Sequence, residues 1–414
     1  MMVSSTRTHL VAALAYRDFR LFWAGSAMAV AGRQGAMVAQ GWLLYDLTGS
    51  ALQLGLLGLA RAVPAFVLGL AGGVVADRVD RRRLMIATTT GAAVTWVVLA
   101  TLIFTGRVEV WHILGTSFLA GAIGAFEGPS RQSIFPHLID RRHLTSAVAM
   151  TSAVNPASRI VTPIVAGSLI EFVGSGNTGP AAAFYFVGGL YLASSFLLFM
   201  VRMPRVQRSS GGGLQSLFEG LRYARTDQTI GFLLMMAFVL SFFGLAYTAM
   251  LPIFADGFSE GSSGATLGVL YSVGGLGGLA GAGGASVSVL ARRRRLTIVA
   301  SGSAFGLALI GFAFIPWYVP ALVLLFLASG SENLFSVFAQ SIMQSKLPDE
   351  YRGRVMGFWG MQFSVLHPLG NLQIGAIAAV AGAPIAVAAG GLAVIAFTIA
   401  MSSTKGIRQI SQQR

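Results

Sequence analysis

The sequence predicts an all-α integral membrane protein, with twelve transmembrane helices in two pseudo-symmetric six-helix halves. Composition, charge distribution and an internal repeat carry that expectation. Of 414 residues, 55% are hydrophobic and 11% charged, against about 25% charged in a soluble domain. Mean hydropathy is +0.71. The 52 glycines suit helices that pack closely in lipid. Cysteine is absent, which removes disulfides and thiolate metal sites.

A membrane helix needs roughly 20 mostly apolar residues. Segments 20–45, 52–76, 84–105, 111–130, 145–170, 181–201, 229–255, 264–290, 296–315, 319–342, 355–380 and 384–403 satisfy this. The connections are too short for a soluble domain. Charges precede the first span without a small-residue cleavage pattern, so no removable signal peptide is expected.

Segments 1–20, 77–83, 131–144, 202–228, 291–295, 343–354 and 404–414, taken as one side, hold 25 of the 29 Lys and Arg. The opposite connections hold only Arg107, beside Asp46, Glu109, Glu171, Asp256 and Glu260. Arg33, Arg61 and Arg159 fall inside spans. This asymmetry predicts cytoplasmic termini, an even number of spans and a multi-pass protein of the inner (plasma) membrane. It explains the net charge of +14 with the lipid bilayer as partner and no nucleic acid.

"RRRL" occurs at 81–84 and 293–296, and "QSI" at 132–134 and 340–342. Asp140 and Asp349 follow in similar positions. The offsets nearly agree, so two parallel six-helix halves are expected, at 1–203 and 229–414. Such repeats are one layout of secondary transporters, with the site near mid-membrane. Between the halves, 204–228 contains the flexible "SSGGG". Leu214, Leu217, Phe218 and Leu221 then share a helical face, with Arg222 and Arg225 nearby, as in an amphipathic helix on the inner membrane surface.

The stretch Gly73–Leu84 resembles the signature of the major facilitator superfamily, Gly-x-x-Ala-Asp-Arg-x-Gly-Arg-Lys/Arg. Gly73, Ala76, Asp77, Arg78, Arg81 and Arg82 match, while Asp80 stands where the signature has its second glycine. Residues 128–167, "GPSRQSIFPHLIDRRHLTSAVAMTSAVNPASRIVTPIVAG", and 347–375, "LPDEYRGRVMGFWGMQFSVLHPLGNLQIG", resemble the enterobactin-exporter-like branch of drug and siderophore efflux proteins. So do "YRDFRLFWAG" and "YDLTGSALQLGLLGLARAVPAF". The resemblance implies the major facilitator fold and secondary transport, directed outward. It also implies a cytoplasmic gate in which Asp77 faces the start of the eleventh span, near Gly353 to Val355, with Arg78 and Arg81 bridging to it and Gly73 and Arg82 completing the motif. The competing reading is that these arginines only fix topology. That reading is preferred for Arg83 and for Arg292 to Arg295, where no matching acid precedes the run.

Charges within spans are costly and functional by default. Arg33 lies close to mid-span in the first helix, with Gln34 and Gln40. Arg61 lies in the outer half of the second span. Asn155 and Arg159 precede Pro163 in the fifth, where related antiporters carry Gly-Pro and this chain has Thr162-Pro163. Glu127 precedes Arg131 by four residues, a favourable helix pair, and a local salt pair is preferred there over a proton carrier. Glu332, beside Asn333, has no base three or four residues away and is the first candidate for the coupling proton. An ion pair with Arg33, Arg61 or Arg159 is the equal alternative. His367-Pro368 breaks the eleventh span, and packing is preferred there over proton relay. Phe242, Phe243, Tyr247, Tyr271, Phe335, Phe338 and Trp359 are pocket candidates whose default role is packing or lipid contact.

No Walker loop, metalloprotease, nucleophile-elbow or dinucleotide motif occurs, so no enzyme, cofactor or metal is expected. The glycines of 274–284 lie within a span and suit close helix packing. The expected function is proton-coupled efflux of a small amphipathic molecule by a monomer. Uptake or uncoupled facilitation is the first alternative, and a non-transporting receptor the second.

Overall fold

In the computed structural model, the described residues are 12–78, 80–134, 138–140, 143–202, 222–223, 225–259, 263–285 and 294–402. The side chains of 12, 70–78, 81, 128–130, 132–134 and 294 fall outside that description. Within these residues a short 3-10 turn, Ala12–Ala15, precedes twelve long helices, and no strand occurs. The first six are α1 (Arg17–Thr48), α2 (Ala51–Arg78), α3 (Arg81–Phe104), α4 (Val110–Ile134), α5 (Leu144–Phe172) and α6 (Thr178–Met200). The second six are α7 (Gln228–Phe258), α8 (Gly264–Gly284), α9 (Arg294–Phe314), α10 (Tyr318–Lys346), α11 (Asp349–Ala381) and α12 (Ala383–Ser402). Of the expected linker helix, Leu214, Leu217, Phe218 and Leu221 lie outside the described residues.

Nine stretches among the described residues are long and apolar enough to cross a membrane. The remaining helices, α1, α4 and α5, are 32, 25 and 29 residues long. They carry Arg33, Gln34 and Gln40, then Glu127 and Arg131, then Asn155 and Arg159, so their polarity is that of the candidate site residues. Outward-facing side chains fit a lipid solvent: Val67, Phe196, Leu307 and Leu392 are all more than half exposed, a costly pattern in water.

Acids start two helices. The Asp80 carboxylate accepts from the backbone N–H of Arg82 at 2.9 Å and of Arg83 at 3.3 Å, capping α3. Asp80, the departure from the family signature, thus satisfies N–H groups that a helix start leaves unpaired. Asp227 does the same for α7 through Thr229 and Ile230, and its carboxylate also receives Lys346 Nζ from the end of α10 at 2.8 Å.

Prolines shape α7 and α11. α7 passes through a π turn at Leu240–Gly244 and a 3-10 turn at Leu245–Met250 before Pro252. Pro252 returns no N–H to the Thr248 carbonyl, and the Tyr271 hydroxyl donates to that carbonyl at 3.0 Å. α11 has a π turn at Gln362–Leu366, directly before His367-Pro368. The two π turns meet where the Ser241 hydroxyl donates to the Gln362 carbonyl at 2.7 Å.

The chain divides into two compact units. The first comprises 1–43, 60–211 and 267–269, and the second 44–59, 212–266 and 270–414. In the first unit α3 packs most extensively on α6, and in the second α9 packs most extensively on α12. The repeated arginine runs tie these equivalent pairs. Arg82 Nη2 donates to the Phe199 carbonyl at 2.6 Å and lies over the Phe199 ring. Arg295 Nη2 donates to the Ser402 carbonyl at 3.0 Å. A guanidinium at a helix C-terminus satisfies an orphan carbonyl and complements the helix dipole. In the second unit Gly281 lets α8 lie on the Gly330 carbonyl of α10, where a methyl group would collide. That is the close approach expected of the 274–284 glycines.

Candidate functional site

In the first unit a cavity opens between α1, α2, α3, α4 and α6. Arg33, Arg61, Thr95, Trp96, Glu127 and Tyr191 supply its polar and aromatic walls. Its free volume is about 20 Å³, room for one or two water molecules. Two glycines let the walls meet. Gly32 leaves space for the Tyr191 ring beside Arg33, and Gly121 brings α4 onto the backbone carbonyl of Arg61.

Arg131 forms an ion pair with Glu127 one helical turn away and donates to the Ser26 carbonyl of α1 at 2.8 Å. The pair is well buried, its side chains being 14% and 13% exposed. Arg33 and Glu127 lie within electrostatic reach of the half-buried Arg61 guanidinium. Neither Arg33 nor Arg61 makes an ion pair or side-chain hydrogen bond to any described residue. The cluster holds three guanidinium groups and one carboxylate.

Gln34 and Asn155 meet, Nε2 to Oδ1 at 3.2 Å, joining α1 to α5. Gln40 is buried elsewhere, donating to the Ile113 carbonyl and the Thr116 hydroxyl at 3.3 Å each. It pins α1 to α4 and does not line the cavity. Arg159 is exposed on α5 and is not among the lining residues. The motif backbone is helical through Arg78 and resumes at Arg81. The side chains of Gly73, Asp77, Arg78 and Arg81 lie outside the described residues, and Arg82 is engaged with α6.

The second unit holds a polar network around Glu332, which is 8% exposed. Its carboxylate accepts from Ser336 Oγ at 2.7 Å and from Asn333 Nδ2 at 3.0 Å. Asn333 also donates to the Ser329 carbonyl at 3.1 Å, and Ser329 Oγ pairs with the Tyr247 hydroxyl at 3.1 Å. Next to Tyr247, Thr248 Oγ1 pairs with His367 Nε2 at 3.3 Å. Tyr247, Phe335, Phe338 and Trp359 are all buried, and Phe242 meets Phe243 edge to face. Among the described residues no His, Asp and Glu cluster suits a metal ion.

Sequence reasoning missed Tyr191, Trp96 and Thr95, aromatic and small polar residues with no local mark distinguishing them from packing residues. It also missed Ser336, whose position four residues after Glu332 is a readable helix pairing.

Residues 8–412 match the family described as transmembrane secretion effector. Macrolide efflux protein A of Streptococcus pyogenes is 25% identical over 85% of this chain and 87% of its own length. The multidrug efflux pump Tap of Mycolicibacterium fortuitum is 26% identical over 85% and 87%. The enterobactin exporter EntS of Shigella boydii is 24% identical over 80% and 78%. Among solved structures, the nucleoside transporter NupG aligns with a TM-score of 0.76 at 12% identity, covering 96% of this chain and all of that one. A bacterial homolog of the human lysosomal transporter Spinster aligns at 0.72 and 14% identity, over 96% and 97%. These neighbours share the major facilitator fold, and the sequence relatives are membrane transporters. The chain belongs to the transmembrane secretion effector family of the major facilitator superfamily.

Proposed function

We propose that this multi-pass membrane protein is a secondary active exporter of small amphipathic molecules of drug or siderophore type, coupled to protons and working by alternating access. The observation that carries the proposal is the presence of a polar centre within the spans of each unit, a charged cavity in the first and a buried acid in the second. The Arg33–Arg61–Glu127 cavity is the substrate-side centre, and the Glu332 network is the proton-side centre. Similarity over more than three quarters of the chain to macrolide, multidrug and enterobactin exporters supports the outward direction. Glu332 carries the proton in this reading, because it is a buried acid within a span and hydroxyl and amide donors hold its carboxylate in place. Glu127 is held by Arg131 and serves as a fixed counter-charge. Asn155, Gln34, Asn333 and His367 are proposed as polar supports of the two centres. Asp77, Arg78 and Arg81, with Gly73, form the proposed cytoplasmic latch, and both termini are cytoplasmic.

The experiment is transport in proteoliposomes with an imposed proton gradient. An inside-out orientation should accumulate a macrolide or amphipathic dye when the lumen is acidic, and collapsing the gradient with an ionophore should abolish accumulation. Transport that ignores the gradient across a broad panel would remove proton coupling.

A further inference from the structure

The cavity in the first unit has more positive charge than its walls neutralise. Arg131 is engaged by Glu127 and by the Ser26 carbonyl. Arg33 and Arg61 share the same cavity, and neither makes a direct ion pair with a described residue. A single carboxylate, already paired, faces three guanidinium groups. Arg33 is exposed and Arg61 half-buried, so both guanidinium groups are open to a ligand, and charge placed this deep in a membrane span favours a counter-charge that arrives from outside.

The depth of the cluster restricts the source of that charge. Arg33 stands about 24 Å along α1 from Arg17 and about 22 Å from Thr48, at 1.5 Å per residue. Arg61, Trp96, Glu127 and Tyr191 are likewise at least about 10 Å from either end of their helices. A lipid headgroup seated at the membrane surface does not extend to this depth. The cavity's room for one or two waters matches one oxygen-bearing acidic group and excludes a macrocycle or fused-ring body. Guanidinium groups present planar, paired N–H donors, the geometry that a carboxylate or similar oxyanion accepts. The Trp96 and Tyr191 rings add flat apolar walls beside them.

We propose that Arg33 and Arg61 form an anion subsite that holds one acidic oxygen group, carboxylate or phenolate-like, of the transported molecule. The bulk of the molecule lies outside this subsite. The inference rests on the transport reading and narrows its substrate class: the chain prefers acidic amphipaths over neutral or cationic ones of the same size and shape.

The test uses the purified full-length chain with benzoate and benzamide, which share size and shape and differ in charge. Binding is followed by tryptophan fluorescence and by thermal shift. Transport of both radiolabelled probes is measured in phosphatidylcholine proteoliposomes. Benzoate should bind at least about tenfold more tightly than benzamide, the factor that one net charged contact supplies. The double substitution R33Q/R61Q should erase the preference, and R33K/R61K should keep part of it. The lysine pair also reports whether the glutamine pair fails merely by misfolding. Equal binding of the two probes by the native chain, or an unchanged preference in R33Q/R61Q, overturns the subsite. Competition of phosphatidylglycerol nanodiscs with benzoate would overturn it too, by assigning the site to a lipid headgroup. The transport reading fails separately. A chain that moves benzamide without acid preference keeps transport and loses the subsite. One that binds benzoate selectively and moves neither probe keeps the subsite and loses transport of this class.

Discussion

Consider the loss of the Glu127 carboxylate through E127Q. In the native chain this group neutralises Arg131 directly and faces Arg33 and Arg61 across a small cavity. Glutamine keeps the volume and removes the charge, leaving three guanidinium groups together. Stripping one member of a buried pair costs ~3–5 kcal/mol. The pair retains 14% and 13% side-chain exposure, so an expectation of about 2–4 kcal/mol is appropriate. The reciprocal change, R131Q, removes a cation from a cluster that keeps two others near Glu127. It also leaves the Ser26 carbonyl without its guanidinium donor, a loss of about 1 kcal/mol. E127Q should therefore be the more damaging single change, and E127Q/R131Q should recover about 1–3 kcal/mol of the summed losses, as coupled neighbours do. Denaturant unfolding in mild detergent, followed by circular dichroism, measures all four corners of the cycle. Additivity within about 0.5 kcal/mol, or E127Q milder than R131Q, would refute the view of Glu127 as the common counter-charge.

The arginine caps make a second prediction. R82Q and R295Q should each lower stability by about 1 kcal/mol through the loss of a hydrogen bond to the last turn of α6 or α12, read as a fall of a few degrees in Tm. Equal Tm for either variant and the native chain would show that cap to be inert. A third prediction concerns Asp46, at the end of α1 and beyond the first span. Partial burial first, and the Asp256 charge second, hold its carboxyl above the usual range. The folded state thus binds this proton more tightly than the unfolded chain, a relative stabilisation that is complete below the unfolded pKa and lost as pH rises through the folded value. D46N should flatten the Tm profile between about pH 4 and pH 6 and leave neutral-pH stability undiminished. A steeper fall of Tm with rising pH in D46N would contradict this sign.

Much of the architecture is readable from the sequence because each helix must satisfy lipid by itself. Length, hydropathy and arginine placement are local quantities. The i,i+4 spacing of Glu127 and Arg131 is local too, and the ion pair follows from it. The function of "RRRL" is only half local. Its recurrence marks a repeat, while its contacts with Phe199 and Ser402 lie 117 and 107 residues away. Gln34 finds Asn155 across 121 residues and Gln40 finds Ile113 across 73, and nothing in the sequence of α1 distinguishes these fates. Asp80 stands where the family signature has glycine and is a helix cap, because a carboxylate before a helix satisfies N–H groups that a glycine leaves open. No base stands three or four residues from Glu332 in the sequence, and Ser336 at i+4 and Asn333 beside it donate to its carboxylate.

The central claim is that a buried acid in the second half couples transport to protons. Its most direct test compares the native chain with E332Q in the same proteoliposomes, measuring gradient-driven accumulation and counterflow exchange of one substrate. The account predicts that E332Q loses most gradient-driven accumulation and retains exchange, since glutamine keeps the contacts but carries no exchangeable acid proton. Accumulation in E332Q that responds to the gradient as the native chain does would contradict it.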